Sequence, residues 1–226
     1  DEIGNAVEPG VNTMVFEEIA RARCEQRNVR PAFLGYQGFP FALCCSINEE
    51  VVHGFPSRDK ILKEGDIVSV DMGVVHQGFF GDSARTFGVG KVAESTQRLL
   101  DVTRESLAQG IAAAEVGNNL YDISAAVQKY VEDNGFGVVR RFVGHGIGTR
   151  LHEKPEVPNF VPKGVPGFPL KAGMTLAIEP MVTEGAVEVD ILEDRWTAVT
   201  KDRKLSAHFE HTIVLTGKGA EILSVS

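Results

Sequence analysis

Three stretches of the chain carry apolar residues at helical spacing. In 12–28, Phe16, Ala20 and Cys24 recur every fourth position behind a cap at Asn12 or Thr13. In 93–114, Leu99, Leu100, Thr103, Leu107 and Ile111 share a face, and in 119–134 so do Ile123, Val127 and Val131. One-sided spacing of this kind predicts amphipathic helices. Elsewhere the pattern is that of strands. Segments 66–72 and 79–87 flank a turn at His76-Gln77-Gly78, and 31–53 holds short strands and turns with Phe39, Phe41, Leu43 and Cys44 as apolar positions. Further strands are predicted near 138–143, 174–180, 186–192 and 207–215. Residues 155–170 contain Pro155, Pro158, Pro162, Pro166 and Pro169, and are expected to form an ordered surface loop. Proline donates no backbone hydrogen bond, so a helix or strand interior cannot hold that density.

The α+β pattern repeats. Residues 62–71 read Leu-Lys-Glu-Gly-Asp-Ile-Val-Ser-Val-Asp, and 170–179 read Leu-Lys-Ala-Gly-Met-Thr-Leu-Ala-Ile-Glu, an offset of 108. The helix openings at Pro9-Gly10-Val11-Asn12 and Gly117-Asn118-Asn119 are offset by 107. Internal similarity at half the chain length predicts two related halves, roughly 1–110 and 111–226, in a single domain. Each half ends a buried strand on an acid, Asp71 or Glu179, which predicts a carboxylate site between them.

Composition narrows the function classes. The net charge of −8 argues against binding a phosphate backbone, and no run of 18 apolar residues predicts a membrane span. Three cysteines, Cys24, Cys44 and Cys45, make a poor disulfide framework and suit a reducing cytoplasm. Cys44 has no CxxC partner, so a structural zinc site is not expected. The first residues do not read as a secretory signal, and a start at Asp1 without an initiator Met is expected to reflect a trimmed N-terminus.

The chemistry gathers on acids and histidines. A two-residue turn would set Asp71 opposite Asp82, with side chains on one face and roughly 5 Å apart. Two facing carboxylates are tolerable if one is protonated, if water separates them, or if a cation lies between them. A solvated hairpin is the bland alternative, but Ile67-Val68-Ser69-Val70 leading into Asp71 argues against exposure. Glu179 shares its strand face with Thr175 and Ala177, which leaves room for a ligand. Glu210 shares a face with His208 and Thr212, and alone would read as part of a charged edge strand. His145 lies in Gly144-His145-Gly146-Ile147-Gly148, where glycines permit close packing and an unusual bend, and His152 follows nearby. Oxygen-rich ligation with an imidazole suits two divalent ions of manganese, iron(II), cobalt or zinc, and bridging acids suggest a two-metal centre. HExxH, P-loop and GxSxG motifs are absent. His76, His208 and His211 are expected at turns and surfaces, His208 with some capacity to orient Glu210.

Taken in order, VVHGFPS (51–57), VSVDMG (68–73), GDSARTF (81–87), GHGIG (144–148), LHEKP (151–155), AIEPMV (177–182) and HFEHT (208–212) resemble the type I methionine aminopeptidases over nearly the whole chain. The resemblance implies the pita-bread fold, two pseudo-symmetric α+β halves around a central antiparallel sheet. It implies removal of N-terminal methionine before a small second residue, from nascent polypeptides at the ribosome, by a cytoplasmic monomer. It assigns Asp71 to one metal, His145 and Glu179 to the other, and Asp82 and Glu210 to both. His53 and His152 would be active-site histidines that bind no metal, and Glu179 would also move the proton of the attacking water. Tyr36, Phe39, Cys44 and Trp196 would line the methionine pocket, although Tyr36 and Trp196 alone read as core. Phe33, Leu151 and Val52 depart from residues common in the family, which bears on pocket shape. A related Xaa-Pro peptidase and a metal-free binding module on the same fold are the rival readings.

Overall fold

A computed structural model describes residues 1–225. The first part of the chain forms α1 (Glu2–Asn5), α2 (Met14–Gln26), β1 (Arg30–Pro31), β2 (Cys44–Ile47), β3 (Glu50–Val52), β4 (Ile67–His76) and β5 (Phe79–Gly88). Next come α3 (Glu94–Ala113), α4 (Leu120–Asp133), β6 (Gly137–Val138), β7 (Gly144–Gly146), β8 (Glu153–Val157) and β9 (Thr175–Ile178). The chain then adds β10 (Met181–Thr183), β11 (Val189–Ile191), β12 (Ala198–Thr200), β13 (Ser206–His208), β14 (His211–Thr216) and β15 (Gly219–Ile222).

The long helices fall inside their predicted spans because their apolar stripes find cores. Phe16, Ala20 and Cys24 of α2 are buried, and Phe16 and Ala20 pack against Leu43, Val68 and Val70 on the sheet of β1, β2, β4 and β5. Leu107 of α3 and Ile123 of α4 pack against Leu176, Ile178 and Ile213, on the sheet ordered β15-β14-β9-β7-β8. A Cβ on Gly110 would meet Val127 at 2.8 Å, so the two helices approach closely there. Strand pairing among the described residues is antiparallel throughout.

The β4–β5 hairpin corrects one expectation. Gln77 and Gly78 have φ of 50° and 85°, as a type I′ turn requires. The turn therefore pairs His76 with Phe79, sets Asp71 across from Ala84 and sets Asp82 across from Gly73. Asp71 is two positions from the partner expected for it. Side chains alternate with a period of two, so a slip of two keeps both carboxylates on one face, now on a diagonal.

The expected strand 207–215 is two strands. Ile178 pairs with His211 and Met181 with His208, one shared register that sets Glu179 across from Glu210 in the gap. Glu210 leaves the ladder because its N–H donates to the Ala84 carbonyl of β5 at 2.9 Å. The predicted strands at 138–143 and 186–192 are shorter, at Gly137–Val138 and Val189–Ile191. Pro155 sits in β8, an edge strand, the sheet position that tolerates proline. The loop beyond is not merely superficial: Asn159 is buried and its Nδ2 donates to the Glu179 carbonyl at 3.0 Å.

Side-chain bonds close the seam between β5 and β13–β14. Thr212 Oγ1 accepts from the Asp82 N–H at 2.9 Å and donates to the Asp82 carbonyl at 2.8 Å. Thr86 Oγ1 likewise accepts from the His208 N–H and donates to its carbonyl. Replacing Thr212 by valine keeps the shape and leaves two buried backbone groups unmet, at about 1–3 kcal/mol each. Urea unfolding of Thr212→Val is expected to show a loss of about 2–6 kcal/mol on that basis; a loss below about 0.5 kcal/mol would mean the seam is not held this way.

Candidate metal centre

Asp71 and Asp82 lie inside β4 and β5, so Asp71 does not end its strand, contrary to expectation; His145 is central in β7, Glu179 follows β9, and Glu210 lies between β13 and β14. Asp82, His145 and Glu210 each offer a ligand atom within 4.8 Å of the others, and all three are buried. His145 lies across from Ala177 in β9, and Ala177 from Thr212 in β14, so small side chains floor the space between the ligands. His145 Nε2 stands 3.5 Å from Glu179 Oε1. Asp71 is buried near enough to Asp82 that each carboxyl shifts the titration of the other.

His145 occupies a short strand, not only a loop. A Cβ on Gly144 would lie 2.3 Å from the Ala177 carbonyl, and one on Gly146 would lie 2.5 Å from that of Lys154. The ladder slips between His145 and Gly146, the irregularity the glycines were expected to allow. His145 Nδ1 lies 2.8 Å from the Gly146 carbonyl, which can only accept, so Nδ1 carries the proton. Nε2 then turns a lone pair toward the carboxylates, the tautomer a metal ligand needs.

The carboxylates lack what a buried acid normally has. Glu17 gives the contrast: it is buried too, but accepts from the N–H groups of Ala42 and Leu43 and pairs with Arg21. Among the described residues no lysine or arginine forms an ion pair with Asp71, Asp82, Glu179 or Glu210. Asp71 Oδ1 and Asp82 Oδ1 are buried without a hydrogen-bond partner. Burial pushes Asp71, Glu179 and Glu210 well above the usual carboxylate range, with the neighbouring carboxylates adding to the shift. Burial raises Asp82 to about 7, against hydrogen bonds from Ser83 and Asp71 that pull it down. Burial and the nearby His152 lower His145 to about 4. A lone-pair imidazole facing acids without counter-charges fits a divalent cation. At 3.5 Å the His145–Glu179 gap is too wide for a hydrogen bond, yet close to the separation of two donors each about 2.1 Å from one ion.

The other expected residues surround this group. His152 Nδ1 meets the Tyr36 hydroxyl at 2.8 Å, and its ring is 4.3 Å from that of His145. A cavity of about 680 Å³ opens beside both histidines. Phe39 packs against Trp196 at 5.1 Å between ring centres, in a cluster with Tyr36, Cys44, Phe33 and Leu151. Cys44 lies across from Asp71 in the β2–β4 ladder, so the apolar cluster abuts the acids. Burial, then Asp71 and Asp82, push the Cys44 thiol well up, so it stays neutral. Val52 lies outside this cluster, packed with Met181 and Ala198. His53 adopts φ of 60°, a left-handed conformation uncommon outside glycine, with its ring 6.3 Å from Trp196. Burial, then His152, lower it to about 4.

Two histidines expected at the surface are not there. His211 is partly buried, with Nδ1 2.9 Å from Ser224 Oγ. His208 is buried beside Glu179, with Nε2 3.9 Å from Oε2. A continuous strand was expected to set it on the face of Glu210; the strand breaks there, and the register shared with β9 and β10 sets it beside Glu179 instead. His76 is exposed at the end of β4, as expected.

The acids make the metal-free protein pH-sensitive in a stated direction. Their folded pKa values lie above the unfolded ones, so their contribution to stability is full below about pH 4 and is lost as pH rises through the folded values. The buried histidines act oppositely, but only below their unfolded pKa of about 6.5. Above that pH the acids dominate, and the buried thiols of Cys44 and Cys45, also raised, add in the same direction near pH 8. With a chelator present, melting is expected to be lower at pH 8 than at pH 6.5, and Asp82→Asn to narrow that difference. Equal melting at both pH values would contradict the electrostatic account.

The profile of metallopeptidase family M24 matches residues 1–217. A methionine aminopeptidase of Clostridium perfringens is 52% identical over 219 residues, spanning 97% of this chain and 87% of that protein. The crystal structure of a methionine aminopeptidase from Thermotoga maritima superposes with a TM-score of 0.97 at 48% identity, covering 100% of this chain and 90% of that one. An X-Pro aminopeptidase structure from the same organism reaches a TM-score of 0.73 at 19% identity, over 100% of this chain and 56% of that one, a likeness of fold alone.

Proposed function

The chain belongs to metallopeptidase family M24, and on that footing we propose that it removes N-terminal methionine from peptides and nascent proteins with a small second residue. The observation carrying this reading is the meeting of Asp82, His145 and Glu210 within 4.8 Å, beside an aromatic cluster that contains a neutral thiol. In this reading Asp71 would hold one divalent cation, His145 and Glu179 would hold another, and Asp82 and Glu210 would serve both. Manganese, iron(II), cobalt and zinc all suit such donors, and availability selects among them. When bound, such ions lower the pKa of water toward about 7 and polarise a carbonyl.

The remaining work falls to the chain's own side chains. Tyr36, Phe39, Cys44 and Trp196 receive the methionine side chain, whose polarisable sulfur gains from aromatic and sulfur neighbours. Asp71, across the ladder from Cys44, then lies where the free α-amine arrives. Only a terminal residue brings an amine there. Glu179 accepts the proton of the attacking water and passes it to the leaving nitrogen, near which His53 stands. With the Tyr36 hydroxyl donating to Nδ1 of His152, the Nε2 of that ring carries a proton and donates it to the developing oxyanion.

The reading extends to organisation. One catalytic domain of two halves accounts for the internal repeat, but α3 packs with α4 against the second sheet. We therefore draw the division between β5 and α3, not near residue 110. A cytoplasmic monomer acting on polypeptides emerging from the ribosome is the setting proposed. Among the described residues no helix is long and apolar enough to cross a membrane.

Release of methionine from Met-Ala-Ser, with no cleavage of an Xaa-Pro peptide, is the expected activity; the reverse preference would favour the Xaa-Pro reading. Asp82→Asn is expected to lose metal and activity while remaining folded, as judged by metal analysis and circular dichroism. His152→Ala is expected to lower turnover by about 100-fold, the usual order for one donor to an oxyanion, with metal content unchanged. Normal turnover in that variant would remove His152 from the reaction.

A further inference from the structure

His208 is a buried polar group that the proposed reaction does not use. The residue is 1% exposed, and neither ring nitrogen has a hydrogen-bond partner. Leaving such a group unmet is costly, and buried polar groups are normally satisfied. The ring cannot simply withdraw. Its backbone pairs with Met181 on one side and is held by Thr86 on the other, through N–H···Oγ1 at 2.9 Å and Oγ1–H···O at 2.8 Å. Ser69 Oγ, 2.8 Å away, supports Thr86 in turn.

What the ring faces is one oxygen of Glu179. Nε2 lies 3.9 Å from Oε2, while the other oxygen, Oε1, faces the lone-pair nitrogen of His145 at 3.5 Å. The two carboxylate oxygens thus meet two imidazoles of opposite character. One is fixed as an acceptor by the Gly146 carbonyl, and the other is free to take either tautomer. We propose that His208 is a positioning residue for Glu179: its Nε2–H donates to Oε2 and so keeps Oε1 turned toward His145. The gap is about 1 Å longer than an N–H···O bond, so the proposal requires the Glu179 side chain to settle that much closer to His208. Holding one oxygen by a neutral donor leaves the other as a ligand of fixed direction, which is how hydrogen-bonded neighbours tune metal sites. This inference rests on reading Glu179 as a ligand.

Two measurements test it. In protein labelled with nitrogen-15 at histidine, long-range proton–nitrogen spectra are recorded without metal and with zinc. His208→Gln identifies the His208 signals by their loss. A neutral Nε2–H tautomer is expected in both states, and the Nδ1–H tautomer would overturn the proposal. Separately, cobalt titration and peptide kinetics compare His208→Ala with His208→Gln. The alanine variant is expected to bind cobalt about tenfold more weakly and to lose about tenfold in kcat, within the usual range for such supports, with KM nearly unchanged. Glutamine, whose amide N–H reaches the same oxygen, is expected to recover most of both. Cobalt affinity unchanged in the alanine variant, or glutamine as poor as alanine, would overturn the proposal. If the alanine variant does not fold, the tautomer decides. If the unaltered protein takes up no cobalt, the metal reading itself fails, while the metal-free tautomer still tests the His208–Glu179 contact.

Discussion

Carboxylates that share a buried space repel one another, and each resists losing its water. Here Asp71, Asp82, Glu179 and Glu210 are brought together with no lysine or arginine ion-paired to them among the described residues. Removing an ion from water costs several kcal/mol even after relaxation. An arrangement of this kind works against folding unless protons or cations neutralise it. Glu17 shows that the same chain satisfies a buried acid where no such purpose exists. The rest of the fold is intelligible as the framework that keeps these charges together.

Of the four sheets among the described residues, the two largest are backed by helices and meet, through β13, at a seam. Packing of α2 behind one sheet and of α3 and α4 behind the other supplies the burial energy. At the seam, Thr212 and Thr86 make paired bonds to the backbone of Asp82 and His208. Each acid stands at or beside a strand, so the ladders fix its direction and the carboxylates cannot separate to relieve their repulsion. Stability invested in the cores offsets strain concentrated at one site, the usual relation between a rigid scaffold and a functional centre.

Much of this was legible because the evidence lay in periodicity. Alternation placed Asp71 and Asp82 on one face, and that survived a wrong register because the slip was even. Alternation also placed Glu179 beside Ala177, which the structure pairs with His145. What was not legible depended on the other half of the molecule. The break at Phe209-Glu210 arises because β5 takes the Glu210 N–H. The burial of His208 follows from Thr86 and Met181, distant in sequence. Pro155 joined a strand because that strand lies at a sheet edge. The dual reading of Tyr36 and Trp196, core or pocket, resolves into a cluster that abuts Asp71 through Cys44.

In the proposed reading the aromatic cluster recognises a side chain and the acids act on the bond beside it. That reading depends on cations lying among Asp71, Asp82, His145, Glu179 and Glu210. The most direct test is a crystal of the protein grown with manganese and measured near the manganese absorption edge. Two anomalous peaks bounded by these five side chains are the predicted result. Ordered side chains with no peak among them, or manganese bound elsewhere, would contradict the account.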